Sequence, residues 1–322
     1  MTLPTVAIVV PVRNEGRNIK ACLDGWNSQT VPVRQIVVID SGSSDDTVAI
    51  AKSYANATVI EILGEEFNHG TTRNRAVAIV DCDFTLMTVG DARPADDKVL
   101  EKLLMGFSDP KVAGVCGLQI VPHEVDKNPV EWFRPVSEPR TKSFSYSSPE
   151  EFDALTPDQK QEAASWDDVI AMYRTPVLRD QIPFREITYG EDPAWAVDAL
   201  RAGYTLLYDS SAHVYHYHLE SAELTYKRAI TMLCLRNWMF GAMPQMPQRG
   251  LRSRLSLVRS LMRAHGLTLR NRWRWYCFNR VNQNALERAI IDFLDALQLG
   301  PERVKELHSA CAGKPFKIIS AE

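Results

Sequence analysis

Short β-branched apolar runs separated by amphipathic stretches constrain this chain more than any other feature. "TVAIVV" (5–10), "QIVVID" (35–40), "ATVIEI" (57–62) and "DFTLMTV" (83–89) recur along the first third, and "VAGVCGLQI" (112–120) closes the series. A run that is apolar at every position must be buried on both faces. Strands of that kind with helices between them predict an open, mostly parallel α/β sheet covered on each side. The intervening helices are expected over about 15–28, from N-caps at Ser43, Ser44 or Asp45 to about Tyr54, after "NHG" (68–70), and up to about Phe107.

Ligands of such sheets bind beyond the carboxyl ends of the strands. The segments there are "PVRNE", "DSGSSDD", "EEFNHG" and "GDARP", rich in carboxylates, small residues and hydroxyls. None matches GxGxxG or GxxxxGK[ST], which argues against a dinucleotide oxidoreductase and a P-loop enzyme. Residues 122–165 are polar and proline-rich and read as a long loop with one short helix. "WDDVIAMYR", a helix "EDPAWAVDALRAG" stopped by Gly203, and the strands "TLLYD" and "AHVYHYH" follow. From Ser221 the pattern is helical, so the expected domains are 1–220 and 221–322, with 322 residues ample for a core.

"HVYHYH" (213–218) places three of seven histidines in six positions. Side chains alternate along an extended segment, so His216 and His218 share a face and His213 points away. A pair so spaced can reach one metal ion, or it can pack as an ordinary aromatic strand.

In order, "VVPVRNE", "IVVIDSGSSDDT", "FNHGTTRN", "GDARP" and "GED" at the head of a helix ending "AGY" resemble the family 2 inverting glycosyltransferases of the GT-A fold. The resemblance covers roughly residues 5 to 220. "FNHGTTRN", "IPF…GEDPAWA" and "VYHYHLES" look most like the bacterial rhamnosyltransferases within it. It implies a nucleotide-sugar donor, whose diphosphate leaving group needs a divalent cation, Mg²⁺ or Mn²⁺. It also implies an acceptor hydroxyl that gives its proton to a carboxylate.

Carried over residue by residue, the resemblance makes Asp40 the base-reading acid, although an acid there can also cap its own loop. Pro11, Val12, Asn14 and Glu15 match the loop around the nucleotide, and Arg73 at a helix start is suited to an anion or a base edge. Asp91 takes the metal position. The chain departs from a DxD pattern there, because Val89 and Gly90 precede Asp91. A late histidine, His216 or His218, is then expected to complete the ion site. Asp192 becomes the general base, ionised at neutral pH if its pKa is ordinary, with Glu191 orienting it or binding acceptor. Trp166 and Asp168 fall where the family lines the acceptor site, and "SWDD" is equally a helix cap.

Between Glu223 and Glu287 the chain has no acid, but it has Lys227 and eleven arginines, within a protein of net charge −3. "RNRWRWYCFNR" interleaves Arg with aromatics, which suits an anionic membrane surface or a lipid-linked acceptor, packing in a homo-oligomer, or nucleic acid. No nucleic-acid motif accompanies it, so that class is set aside. The six cysteines are scattered without ligand spacing and no apolar run reaches the ~18 residues of a membrane span. The expectation is a cytoplasmic enzyme with peripheral contact through 225–280 at the inner face of the cytoplasmic membrane. It would transfer a sugar, L-rhamnose from dTDP-L-rhamnose, to a bacterial surface glycan or lipid-linked acceptor. The alternatives are a UDP-hexose or UDP-N-acetylhexosamine donor on the same fold, and a non-catalytic nucleotide-sugar binding module. A nucleotidyltransferase would want a Gly-rich, lysine-bearing first loop, which "PVRNEGRN" is not.

Overall fold

The computed structural model describes residues 4–133, 140–246 and 250–313. The chain forms two compact units, Met1–Ile120 with Val136–His216, and Val121–Pro135 with Tyr217–Glu322.

The first unit runs β1 (Val6–Val12), α1 (Ile19–Asn27), β2 (Val33–Asp40), α2 (Thr47–Lys52), β3 (Ala57–Glu61), α3 (His69–Val77), β4 (Phe84–Met87), β5 (Arg93–Pro94), α4 (Val99–Met105), β6 (Val112–Ile120), β7 (Thr141–Phe144), α5 (Pro149–Asp153), α6 (Pro157–Ala163), β8 (Ala171–Arg174), α7 (Glu191–Arg201) and β9 (Thr205–Tyr215). The strands make one sheet in the order β3-β2-β1-β4-β8-β6-β9-β5, with β7 on β9. The expected open α/β sheet is present, and β3, β2, β1 and β4 pair in parallel. Beyond β4 the sheet becomes mixed. β8 enters antiparallel between β4 and β6, β9 runs parallel to β6, and β5 and β7 pair antiparallel to β9.

Val6 to Val10 are fully buried, as a continuous apolar run requires. Ile8 and Val10 share a core with Ile19, Leu23 and Trp26, which recur on one face of α1. Each such large side chain contributes about 1.5–3 kcal/mol by leaving water. Pro11 extends β1 past its expected end, where β4, paired only as far as Val9, no longer runs alongside. That position suits a residue without an N–H.

The expected long loop at 122–165 is more ordered than its composition suggests. Ser148 and Thr156 cap α5 and α6, and Pro149 and Pro157 stand at the first helical positions. Proline there starts a helix at no hydrogen-bond cost, so residues that read as loop are helix openings. Residues 134–139 of that stretch lie outside the described residues.

The second unit contains α8 (Ala222–Phe240), α9 (Leu251–Arg263), α10 (Leu269–Leu299) and α11 (Pro301–Ala312). Ile230 and Cys234 of α8 pack with Ala289 and Phe293 of α10. A separate core joins Leu257 and Leu261 of α9 to Trp275 of α10, with Val130 and Trp132 against it. Asn128 and Asn279 exchange side-chain hydrogen bonds of 3.0 and 2.9 Å. Among the described residues no helix is long and apolar enough to cross a membrane.

Candidate active site

The loops after β1 and β2 are stitched together. The amide nitrogens of Asn14, Glu15 and Gly16 donate to Ser43 Oγ (2.8 Å), Thr47 Oγ1 (2.7 Å) and Asp45 Oδ2 (2.9 Å). Asn14 has φ +57, a left-handed turn that asparagine tolerates, and its Oδ1 accepts from Ser44 N at 2.9 Å. The buried Asp40 carboxylate accepts from the amides of Gly42 (3.0 Å) and Ser43 (2.9 Å) and from Ser43 Oγ. Asp40 therefore does hold its own loop, and its remaining lone pair is what a ligand can use. Pro11 and Val12 lie in β1 beneath this loop pair.

Glycine at position 90 has a packing cause. A Cβ there would stand 2.9 Å from both Val12 Cγ1 and Glu15 Cγ, so no second acid fits before Asp91. Burial, with the Asp91 and Asp45 carboxylates nearby, raises the pKa of Glu15.

His216 lies just past β9, with Nε2 3.4 Å from Asp91 Oδ1. Its Nδ1 is 2.7 Å from Gln119 Oε1, while the Gln119 amide donates to Asp167. The amide orientation set by Asp167 makes Gln119 an acceptor. His216 Nδ1 therefore donates to Gln119, and Nε2 is the ring nitrogen turned toward Asp91. A carboxylate oxygen and an imidazole nitrogen so placed can ligate one cation. His218 follows two residues on, and one ligand atom from each of Asp91, His216 and His218 lies within 4.8 Å of the others. One carboxylate and two imidazoles suit Mn²⁺ better than Mg²⁺, which prefers oxygen. His213 Nε2 is buried without a hydrogen-bond partner, and burial lowers its pKa, so it packs as a neutral ring.

A second cluster gathers around Arg73. Asn68 caps α3 by accepting from Gly70 and Thr71 N, and Gly70 passes so close to Arg185 that a Cβ would lie 2.1 Å from its carbonyl oxygen. That approach aims Arg73 inward, where it is only 6% exposed. Its Nη1 lies 2.9 Å from Glu191 Oε1 and its Nε 3.0 Å from Asp168 Oδ2, the latter an ion contact without hydrogen-bond alignment. Tyr173 OH donates to Asp168 Oδ1 and accepts from Trp166 Nε1 at 2.7 Å.

Gly190, at φ +86, starts α7 and puts Glu191 and Asp192 in its first turn. Asp192 lines a cleft with His69, Arg73, Asp168, Tyr189 and Glu191. Burial first, then the Glu191, Asp168 and Asp167 carboxylates, raises the Asp192 pKa well above the usual range, and Arg73 opposes the rise. An ordinary Asp192 pKa was the sequence-based expectation. The difference arises because one guanidinium serves three close carboxyls.

Two expected site residues are buried. Arg73, expected to meet an anion or a base edge, pairs with Glu191 and Asp168, 118 and 95 residues away in the chain, and lines the cleft. Trp166, expected near the acceptor, is 4% exposed, packs on Trp195 and Tyr208, and covers Gly114. Asp168 borders the cleft yet is buried in its pairing with Arg73 and Tyr173. Sequence reading missed Gln119 and Tyr173. Only the position of Gln119 near the carboxyl end of β6 could have pointed to it.

The family model "Glycosyl transferase family 2" matches residues 7–158. The O-antigen chain rhamnosyltransferase RfbN of Salmonella typhimurium is 34% identical over 217 residues, 66% of this chain and 66% of that one. WbaN, an O-antigen chain rhamnosyltransferase of Salmonella anatum, is 33% identical over 222 residues, 67% of each. The matched stretch thus spans about two thirds of the length of these curated relatives. Among solved structures, the mannosyltransferase PcManGT of Pyrobaculum calidifontis, in complex with GDP-Man and Mn²⁺, aligns with TM-score 0.56 at 17% identity, covering 97% of this chain and 80% of that one. TarS 1–349 of S. aureus with UDP-GlcNAc aligns with TM-score 0.51 at 14% identity, covering 90% and 92%. These two likenesses bear on the fold alone.

Proposed function

Because the chain belongs to glycosyltransferase family 2, we propose that it transfers L-rhamnose from dTDP-L-rhamnose, with inversion, to a hydroxyl of a bacterial surface glycan carried on a lipid. The observation that carries the transfer chemistry is Asp192, a carboxyl of raised pKa lining a cleft together with the Arg73–Glu191 ion pair. The rhamnose assignment is supported by the two rhamnosyltransferase relatives.

In this reading the acceptor hydroxyl enters the cleft and gives its proton to Asp192 as its oxygen attacks the anomeric carbon, opposite the departing diphosphate. A raised pKa strengthens Asp192 as a base once it is ionised. Asp91, His216 and His218 would hold a divalent cation, Mn²⁺ in preference to Mg²⁺, which neutralises charge growing on the leaving group. Glu191, fixed by Arg73, orients the cleft wall. The nucleotide would lie along Pro11, Val12, Asn14, Glu15 and Asp40, meeting side chains because the amides of Asn14 and Glu15 are already bonded. Work at the cytosolic face of the membrane suits a lipid-carried acceptor.

The test is thermal stabilisation of the purified protein by dTDP, dTDP-L-rhamnose, UDP, UDP-glucose and UDP-N-acetylglucosamine, each with Mn²⁺ and with EDTA. A ligand at a hundred times its Kd adds about 2.7 kcal/mol. Stabilisation by the dTDP compounds with Mn²⁺ alone is expected. Stabilisation by UDP-sugars instead would sink the rhamnose assignment, and none by any nucleotide would sink the enzyme reading.

A further inference from the structure

Helix α9 carries two apolar stripes, and among the described residues only one is packed. Leu257 and Leu261 are buried against Trp275. Leu251, Leu255, Val258 and Met262 are 73, 57, 44 and 57% exposed. Their spacing of four, three and four residues keeps them within one narrow band of a helix with 3.6 residues per turn. Arg252, Arg259 and Arg263 border one side of that band and Arg254 the other, all exposed. Just beyond, Leu269 and Trp273 of α10 are also exposed, at 78 and 67%, with Trp273 stacked on Tyr276.

We propose that the Leu251–Leu255–Val258–Met262 face of α9, with its flanking arginines, docks on an anionic lipid surface. A helix with one apolar stripe shallowly buried among acyl chains and cations at headgroup level has the amphipathic form of an interfacial anchor. Arginine stems can lie along the apolar layer while the guanidiniums reach lipid phosphates. A second copy of the chain fits this face poorly. Residues 224–286 contain no Asp or Glu, so pairing α9 with itself would set arginines against arginines with no carboxylate between them. A nucleic acid would use the arginines but leave the four apolar side chains in water. The inference stands apart from the catalytic reading, because a vesicle reports lipid binding without any sugar.

The experiment is co-flotation of the full chain with vesicles of phosphatidylcholine alone, or of equal phosphatidylcholine and phosphatidylglycerol. The variants are Leu255→Ser with Met262→Ser, and Arg252→Gln with Arg259→Gln. All four positions are exposed, and an unchanged melting temperature verifies the fold. Binding is expected to the anionic vesicles, weakened about tenfold or more by each double variant, with only the arginine variant losing salt sensitivity. No binding to anionic vesicles, or binding that survives Leu255→Ser with Met262→Ser, overturns the proposal. So does a solution dimer that the same variant dissolves, which would give the face to a second copy. RNA binding lost in the arginine variant but untouched by the apolar one, without vesicle binding, overturns it as well.

Discussion

Arg73 Nη1 lies 2.9 Å from Glu191 Oε1, so a buried charge joins the helix after β3 to the helix that presents Asp192. Both side chains are almost wholly shielded from water. In such surroundings a lost partner costs far more than the pair itself contributes. The position of Asp192 at the cleft therefore depends on an arginine whose charge is held by Glu191 and Asp168.

Replacing Asp192 by Asn should separate activity from stability. Loss of the base is expected to lower kcat by about 10²–10⁴-fold. The raised pKa means the folded state holds a proton that the unfolded state has released. Stability from this group is thus highest below the unfolded carboxylate pKa and declines as pH rises toward the folded value. An uncharged Asn escapes that decline, so Asp192→Asn should melt higher than wild type at pH 8. Calorimetry and initial rates on the same preparation check both halves.

Removing the counter-charge should act on pH dependence. Activity needs Asp192 ionised, so the acid limb of kcat/KM is expected above the ordinary carboxylate range. Arg73 holds the pKa down, and Arg73→Met should move that limb to higher pH. The same variant should lose about 3–5 kcal/mol of stability. The loss should be larger at pH 9 than at pH 6, because Asp168 and Asp192, whose pKa values burial raises and Arg73 lowers, take up protons toward the lower pH. Urea unfolding at the two values measures the difference.

Asp91 and His216 should be silent in the fold and decisive for metal. Asp91→Asn and His216→Gln are expected to melt within about 1 kcal/mol of wild type. Both should abolish the Mn²⁺-dependent part of nucleotide stabilisation. Gln119→Leu, which removes the partner of His216 Nδ1, should weaken Mn²⁺ binding about 10–100-fold without removing a ligand.

Restoring an acid before Asp91 should fail. Gly90→Asp must place its Cβ 2.9 Å from Val12 and Glu15, which is expected to cost about 1–3 kcal/mol. No gain in Mn²⁺ affinity should follow, as isothermal titration would show.

The strands were legible where each buries both faces, since an apolar run such as Val6–Val10 admits little else. β8 was not assigned as a strand, because four residues are too few to show a period or a direction. Pro149 and Pro157 misled because the same residue opens helices and breaks them. That His216 comes near Asp91 fits the alternation expected through residues 213–218 and the place of Asp91 after β4. The surroundings of Arg73 could not be read. Its partners come from distant segments, and nothing local distinguishes an arginine aimed inward from one aimed at a ligand.

The excursion of residues 121–133 has a consequence for how such a chain can evolve. Val130 and Trp132 pack on the core of Leu257, Leu261 and Trp275, and Asn128 bonds Asn279, so the helical unit takes one of its pieces from the middle of the sheet unit's sequence. It is not a cassette that recombination can attach or remove at one junction. A chain cut after residue 220 would expose apolar side chains that only the missing helices cover. The two units are therefore inherited together.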